Sequence, residues 1–446
     1  MSNISTKPAP PVYLRWIVLL FISLAMFGNY YIYDSISPVA DLLKSQLKFS
    51  DSNIGLLMAI YSLPNVFMVL IGGIIIDRIG TKKAAFLFSL LMMTGGFITA
   101  LNGNLALMAT GRLIFGLGAE SMIVAITTAI ARWFKGKELS FAFGLNLTIA
   151  RIGSFMALNS PSWGKSMYNF WQNPLWFAAF TGIISVVCLI IYWLLDKYSE
   201  KKYELEPEGK QDKVEFKEMF AFGKSFWFIT ALCITFYSAM FPFQTFAIKF
   251  FQEVHGESRE IGGFLSSILT LSAMVATPLF GLLADKIGKR SYLMMIGSLL
   301  IVPVYLMMAY KADISGMLGL PEKAHIAIGF LSIDVILTTN LLIPMIMMGI
   351  AFSLVPAVLW PSVALVVKQN KLGTGYGLMT MIQNIGLAGF NLIIGFSNDI
   401  FKAGAANPSG YIPGMWIFSS LGLFGVAFAI ILKINEAGTN GHGLDK

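Results

Sequence analysis

Two residues carry the most chemistry in this sequence. Glu120 and Arg151 stand inside long apolar runs that otherwise hold almost no charge. An ionised side chain at mid-bilayer costs at least roughly 2.5–3.5 kcal/mol even on lenient insertion scales, so such residues mark function by default. Glu120 lies sixteen residues before the basic turn around Gly136, and Arg151 fifteen after it. At 1.5 Å per helical residue, both are roughly 22–24 Å along neighbouring antiparallel helices, hence at similar depth. A carboxylate can hold an ammonium group. A guanidinium can grip a carboxylate through two parallel hydrogen bonds, which lysine does less well. Together they suit a zwitterion. Two other readings stay open: a structural or gating ion pair, for which burial is weak support, and a proton-coupling acid at Glu120 beside Arg151.

The frame that must position the pair follows from composition. Of 446 residues, 56% are hydrophobic and 13% charged, against about 25% charged in soluble domains. A soluble enzyme is excluded. Apolar spans of about 20 residues fall at 16–34, 54–76, 84–101, 105–131, 140–160, 175–195, 226–248, 261–284, 291–310, 340–366, 373–397 and 413–433. That predicts an all-α membrane protein with twelve transmembrane helices. The stretch 325–338 is apolar but short and contains Asp334, so it reads as a re-entrant or interfacial piece. Residues 196–224 read as a cytoplasmic linker between an N-terminal six-helix bundle, 1–195, and a C-terminal one, 225–446, with an insertion at 311–338. Basic clusters such as Arg78, Lys82 and Lys83, and Lys286, Lys289 and Arg290, put both termini in the cytoplasm. The net charge of +8 is this bias and needs no nucleic-acid partner.

Cysteines number two and histidines three, scattered, so no metal site and no disulfide framework is expected. No glycine-rich phosphate loop with Lys and Ser/Thr occurs, so ATP is not the driving force and no cofactor or catalytic residue is expected.

The two bundles echo each other. Gly73-x-x-x-Asp77-Arg78-x-Gly80 returns as Gly281-x-x-x-Asp285-Lys286-x-Gly288, an offset of 208 (285 − 77). FAFGLNLTIARIG at 141–153 aligns with TGYGLMTMIQNIG at 374–386, an offset of 233 (374 − 141). The second offset places Ser353 and Asn384 at the positions of Glu120 and Arg151, which keeps polarity there and confines charge to the first half.

Other candidates surround this level. Asn29 and Tyr30 end the first span and could face a cavity, while Tyr33 reads as part of an aromatic belt at the interface. Tyr237 and Phe241-Pro242-Phe243 lie in a span that proline is expected to break. Lys249 follows and is expected to snorkel outward. Trp360-Pro361 is a similar break, with Trp360 as an apolar wall.

The run Gly72-Gly73-Ile-Ile-Ile-Asp77-Arg78-Ile-Gly80-Thr-Lys82-Lys83 resembles the loop signature of the major facilitator superfamily. Arg112-x-x-x-Gly116-x-Gly118 resembles its second motif. The resemblance implies two pseudo-symmetric six-helix bundles, alternating access and a binding site at the bilayer midplane between the halves. It also implies that Asp77, Arg78, Asp285 and Lys286 gate the cytoplasmic side, the alternative being a simple topology determinant, and that Arg112 braces helix backbones. GRLIFGLGAES (111–121), ARIGS (150–154) and LWPSVALVVKQNKLGTGYGLMTMIQNIGLA (359–388) more closely resemble the lysosomal dipeptide uniporters of that superfamily. That likeness implies uniport of dipeptides, with arginine for the peptide C-terminus and glutamate for its N-terminus. The insertion at 311–338 departs from the pattern, as does a short N-terminus without an acidic dileucine signal. A bacterial-type cell membrane is therefore expected over a lysosomal one, and a monomer is expected. Those uniporters bind an accessory glycoprotein, of which nothing here gives a sign. Alternatives are a proton-coupled carrier of organic anions or metabolites, and a membrane sensor that transports nothing.

Overall fold

In lipid every backbone N–H and C=O must be satisfied within the protein, so long apolar runs fold as helices. The computed structural model describes residues 8, 10–134, 138–205, 222–328, 333–368, 371–438 and 441–445. Its helices are α1 Val12–Asp34, α2 Ala40–Leu47, α3 Asp51–Ile79, α4 Thr81–Leu101, α5 Leu105–Phe134, α6 Leu139–Leu158, α7 Ser160–Trp163 and α8 Gln172–Lys202. Then follow α9 Lys224–His255, α10 Arg259–Ile287, α11 Arg290–Ala309, α12 Ile314–Leu318, α13 Thr339–Val366, α14 Leu372–Ile400 and α15 Ile412–Glu436. Among the described residues eleven helical stretches are long and apolar enough to cross a membrane, with α1 and α2 counted as one. A twelfth is α3, as Asp51–Met68 and Ile71–Ile79 bent by 56°. Six precede the charged segment and six follow it. The turn around Gly136 and most of the expected linker, 206–221, lie outside the described residues.

The chain divides into two compact units. One runs through Ser35, resumes over Ile60–Ala157, and resumes again from Gln172 into the end of α8; the other takes Ile36–Ala59, Leu158–Trp171 and the chain described from Phe222 on. Helix α3 contributes to both, changing at Ala59 and Ile60.

In the first unit α4 packs on α5 and α8, and α1 packs on α8 and α5. The α4–α5 seam is close because glycine lets backbones approach: a Cβ at Gly118 would come within 2.6 Å of Met92 N. One end of this unit is tied by Asp196, a residue without solvent exposure. Asp196 accepts from Arg132 at 3.1 Å, Lys82 at 3.2 Å and Trp133 Nε1 at 3.0 Å. Asp196 opens the segment read as a linker, yet α8 continues to Lys202, because three donors from α4 and α5 hold its carboxylate in place.

In the second unit α9 contacts α10, α13, α14 and α15, around an aromatic core in which Phe243 meets Tyr305, Phe250 and Phe418 edge-on. Pro242 does not break α9, nor do Pro344, Pro356 and Pro361 break α13. Each removes a single helix hydrogen bond, and packing on neighbouring helices carries the helix through.

The insertion folds as α12 and an antiparallel ribbon, β1 Lys323–Ile328 with β2 Ile333–Thr338, in register His325 opposite Ile336 and Ile326 opposite Val335. This replaces the re-entrant reading. A two-stranded ribbon has open edges whose unpaired backbone groups need water, so it lies outside the hydrocarbon layer.

Candidate functional site

Helix α5 carries Glu120 and α6 carries Arg151, and both side chains are half-buried. Glu120 Oε1 accepts a hydrogen bond from the Tyr61 hydroxyl of α3 at 3.2 Å. The Arg151 guanidinium carbon lies 5.3 Å from the ring centroid of Tyr30 on α1, a cation–π arrangement. Tyr30 is within electrostatic reach of both Arg151 and Glu120. Helix α1 lies close to α6 partly because residue 153 is glycine: a Cβ there would fall 3.0 Å from the Phe27 carbonyl carbon.

A second arginine completes the cluster. Arg112 is 1% exposed and donates to the backbone oxygens of Ile32 and Tyr33 at 3.3 and 3.5 Å. Its guanidinium stands 5.3 Å from the Tyr61 ring and 5.8 Å from the Tyr33 ring. Tyr33, half-buried, packs on Tyr61 at 4.8 Å and so stands against the cluster as well as at the end of α1, where the sequence places a belt. Asp34, also buried, is within electrostatic reach of Arg151 and Arg112. Two acids and two arginines, counted as ionised, sum to zero. Such a site can admit a net-neutral guest carrying both charges without leaving either sign uncompensated in a low-dielectric setting. Asn29 is 3% exposed, and its Oδ1 has no hydrogen-bond partner among the described residues.

The remaining sequence candidates belong to the second unit or to helix ends. In the second unit Trp360 Nε1 donates to the Tyr237 hydroxyl at 2.8 Å, and Tyr376 donates to the Trp360 backbone oxygen at 3.1 Å. Ser353 is fully buried and donates to Gly349 O of its own helix; Asn384 does the same to Thr380 O. At the ends of α3 and α10, Asp77, Arg78, Asp285 and Lys286 are exposed, and Asp285 accepts from Arg290 at 2.7 Å. The glycines that the backbone requires are Gly80 and Gly288, at φ 85° and 77°, the same position of the repeated motif. A Cβ at Gly281 would meet nothing within 4 Å.

Three features escaped the sequence. Tyr61 looked like an ordinary aromatic residue in an apolar run. Asp34 ends α1, where an acid passes for the span boundary. Lys249, expected to snorkel, is wholly buried: its Nζ lies 2.5 and 2.6 Å from the Asp51 carboxylate oxygens and 3.5 Å from Glu253. A buried acid at the first turn of α3 supplies the countercharge, and packing on every side removes any path to water.

The sequence model of the Major Facilitator Superfamily matches residues 22–391. The lysosomal dipeptide transporter MFSD1 of Bos taurus is 32% identical over 398 residues, covering 86% of this chain and 80% of that protein. The probable sulfoacetate transporter SauU of Cupriavidus necator is 22% identical over 294 residues, covering 62% and 66%. A solved structure of a bacterial homologue of the human lysosomal transporter Spinster, inward-facing and occupied, aligns with a TM-score of 0.71 at 17% identity over 95% of this chain and 98% of that one. That likeness bears on the fold, and the family model and MFSD1 bear on descent. The chain belongs to the Major Facilitator Superfamily and is a multi-pass membrane transporter rather than an enzyme.

Proposed function

We propose that this transporter carries dipeptides by alternating access, as a facilitative uniporter. Glu120 takes the peptide ammonium and Arg151 its carboxylate. The observation that carries this reading is the neutral cluster of the first unit, in which acid and base are half-buried and both lie within electrostatic reach of Tyr30 on α1. Partial exposure matters here: a purely structural pair in lipid would be closed off, whereas a clamp must remain reachable. The relationship to MFSD1, named for dipeptide transport, supports the same cargo. Asn29 and Tyr30 contribute polar contacts, and Tyr237 and Trp360 meet cargo side chains along the route. Asp77, Arg78, Asp285 and Lys286 act at the gate, with Arg112 bracing α1. We place the protein in a cell membrane with both termini cytoplasmic, on the distribution of Lys and Arg at the helix ends.

An organic anion is the competing cargo, and the relationship to SauU points that way. The charge balance weighs against it, since an anion alone would leave the acids uncompensated. A thermal-shift panel on purified protein separates the two. Free dipeptides should raise the melting temperature, while N-acetylated or C-amidated dipeptides and simple carboxylates should not. Equal stabilisation by N-acetylated dipeptides removes Glu120 from the assignment.

A further inference from the structure

The shell behind the clamp is built from tyrosines and a second arginine that touch its charges in turn. Tyr61 is 5% exposed, and its ring is fixed on three sides. It stacks on Phe115 with centroids 5.1 Å apart at 29°, it meets Tyr33, and Arg112 lies over it at 5.3 Å. Among the described residues its hydroxyl donates to Glu120 Oε1 at 3.2 Å. The partners of Arg112 on α1 are the carbonyls of Ile32 and Tyr33, two and three residues past the Tyr30 ring that holds Arg151. A continuous path therefore runs from Arg151 through Tyr30, along α1 to Arg112, across the Tyr61 ring, and onto Glu120.

We propose that Tyr61 is the positioning residue for the clamp's acid end and thereby sets the preference for a free amino terminus. The inference rests on the dipeptide reading and deepens it. By donating to Oε1, the hydroxyl fixes the plane of the carboxylate and leaves Oε2 for the N–H groups of an incoming ammonium. A cation over the ring face draws electron density from the phenol, which strengthens its donation. Without the hydroxyl, the carboxylate is free to rotate among orientations, and a directed charge-assisted hydrogen bond becomes an undirected one. The ring itself, with its contacts to Phe115, Tyr33 and Arg112, does not depend on the hydroxyl. Tyr61→Phe therefore isolates the effect.

The test is a double-mutant cycle on full-length protein in proteoliposomes. Affinities for alanyl-alanine, its N-acetyl derivative and its C-terminal amide are measured for the wild type, Tyr61→Phe, Glu120→Gln and the double variant. Tyr61→Phe should weaken binding of the free dipeptide about tenfold, the worth of a hydrogen bond to a charged group. The weak binding of the N-acetyl derivative should stay unchanged, as should the ratio of free acid to amide that reports on Arg151. In the Glu120→Gln background the substitution should add nothing further. A Tyr61→Phe protein that keeps the wild-type ratio of free to acetylated dipeptide overturns the proposal. So does a loss that is equal for all three ligands, which would mark a packing effect. A wild type that does not distinguish free from acetylated dipeptide defeats the cargo assignment and this inference together, whereas retained wild-type discrimination with an inert Tyr61→Phe defeats this inference alone.

Discussion

Lys249 Nζ stands 2.5 and 2.6 Å from the two carboxylate oxygens of Asp51, and neither side chain reaches solvent. Asp51 is the first residue of α3, and Lys249 lies on α9, 198 positions later. Around them Tyr411 presents its ring to the ammonium at 5.4 Å and its hydroxyl to Glu253. A buried charge that loses its partner is penalised far more than the pair is rewarded. Lys44 Nζ, 3.6 Å from Asp51 and partly exposed, still faces the acid when Lys249 is lost. Lys249→Met alone should therefore destabilise the protein by about 3 kcal/mol, the lower end of the cost of breaking a buried pair, whereas Lys249→Met with Asp51→Leu should recover most of that. Thermal unfolding in detergent measures both. A double variant as unstable as the single would show that the pair stabilises through more than mutual neutralisation.

The same helix start gives a second expectation. Asp399 accepts from Asp51 N and Ser52 N, each at 2.8 Å, capping α3 from another helix. Asp399→Ala removes a cap and should cost about 1 kcal/mol. Asp399→Asn keeps an oxygen acceptor and should lose less. If the two variants melt alike, the carboxylate charge rather than the cap geometry is what matters.

Backbone conformation separates the motif glycines. Gly80 has φ 85° and ψ 152°, and Gly288 has φ 77° and ψ −36°, regions that residues with a Cβ scarcely enter. Gly80→Ala and Gly288→Ala should each cost about 1–3 kcal/mol. Gly281→Ala, which opens onto empty space, should be neutral or slightly stabilising within α10. Unfolding temperatures of the three variants check the contrast, and a damaging Gly281→Ala would point to a role in another state of the cycle.

In the second unit, Tyr237→Phe removes the acceptor of the Trp360 indole N–H, held at 2.8 Å. If these rings contact the cargo side chain, affinity for dipeptides with bulky side chains should fall several-fold, while alanyl-alanine should change little. A uniform fall across the series would show that the rings act on the fold and not on side-chain choice.

How much of this was legible in the sequence depended on what each residue had to be read against. Glu120 and Arg151 stood out because an apolar run makes a charge conspicuous, and the helix count followed from the same contrast. Tyr61 was invisible for the converse reason, since tyrosine in such a run is unremarkable until its hydroxyl is seen to meet Glu120. Lys249 and Asp51 are each adjacent to a span end, so each alone reads as a boundary charge; only the fold brings them together. The ribbon of 323–328 and 333–338 is hard to see in the sequence because apolar content suggests a short buried span there, whereas antiparallel pairing of two short strands decides the structure. The prolines of α9 and α13 misled because proline's local cost was counted without the surrounding helices that offset it.

The most direct measurement is counterflow of a labelled dipeptide in proteoliposomes, comparing free alanyl-alanine with its N-acetyl and C-amide forms as the unlabelled driver. The account predicts exchange with the free peptide, none with either blocked form, and loss of exchange in Glu120→Gln and in Arg151→Lys. Exchange driven equally by a blocked peptide, or retained in both variants, would contradict it.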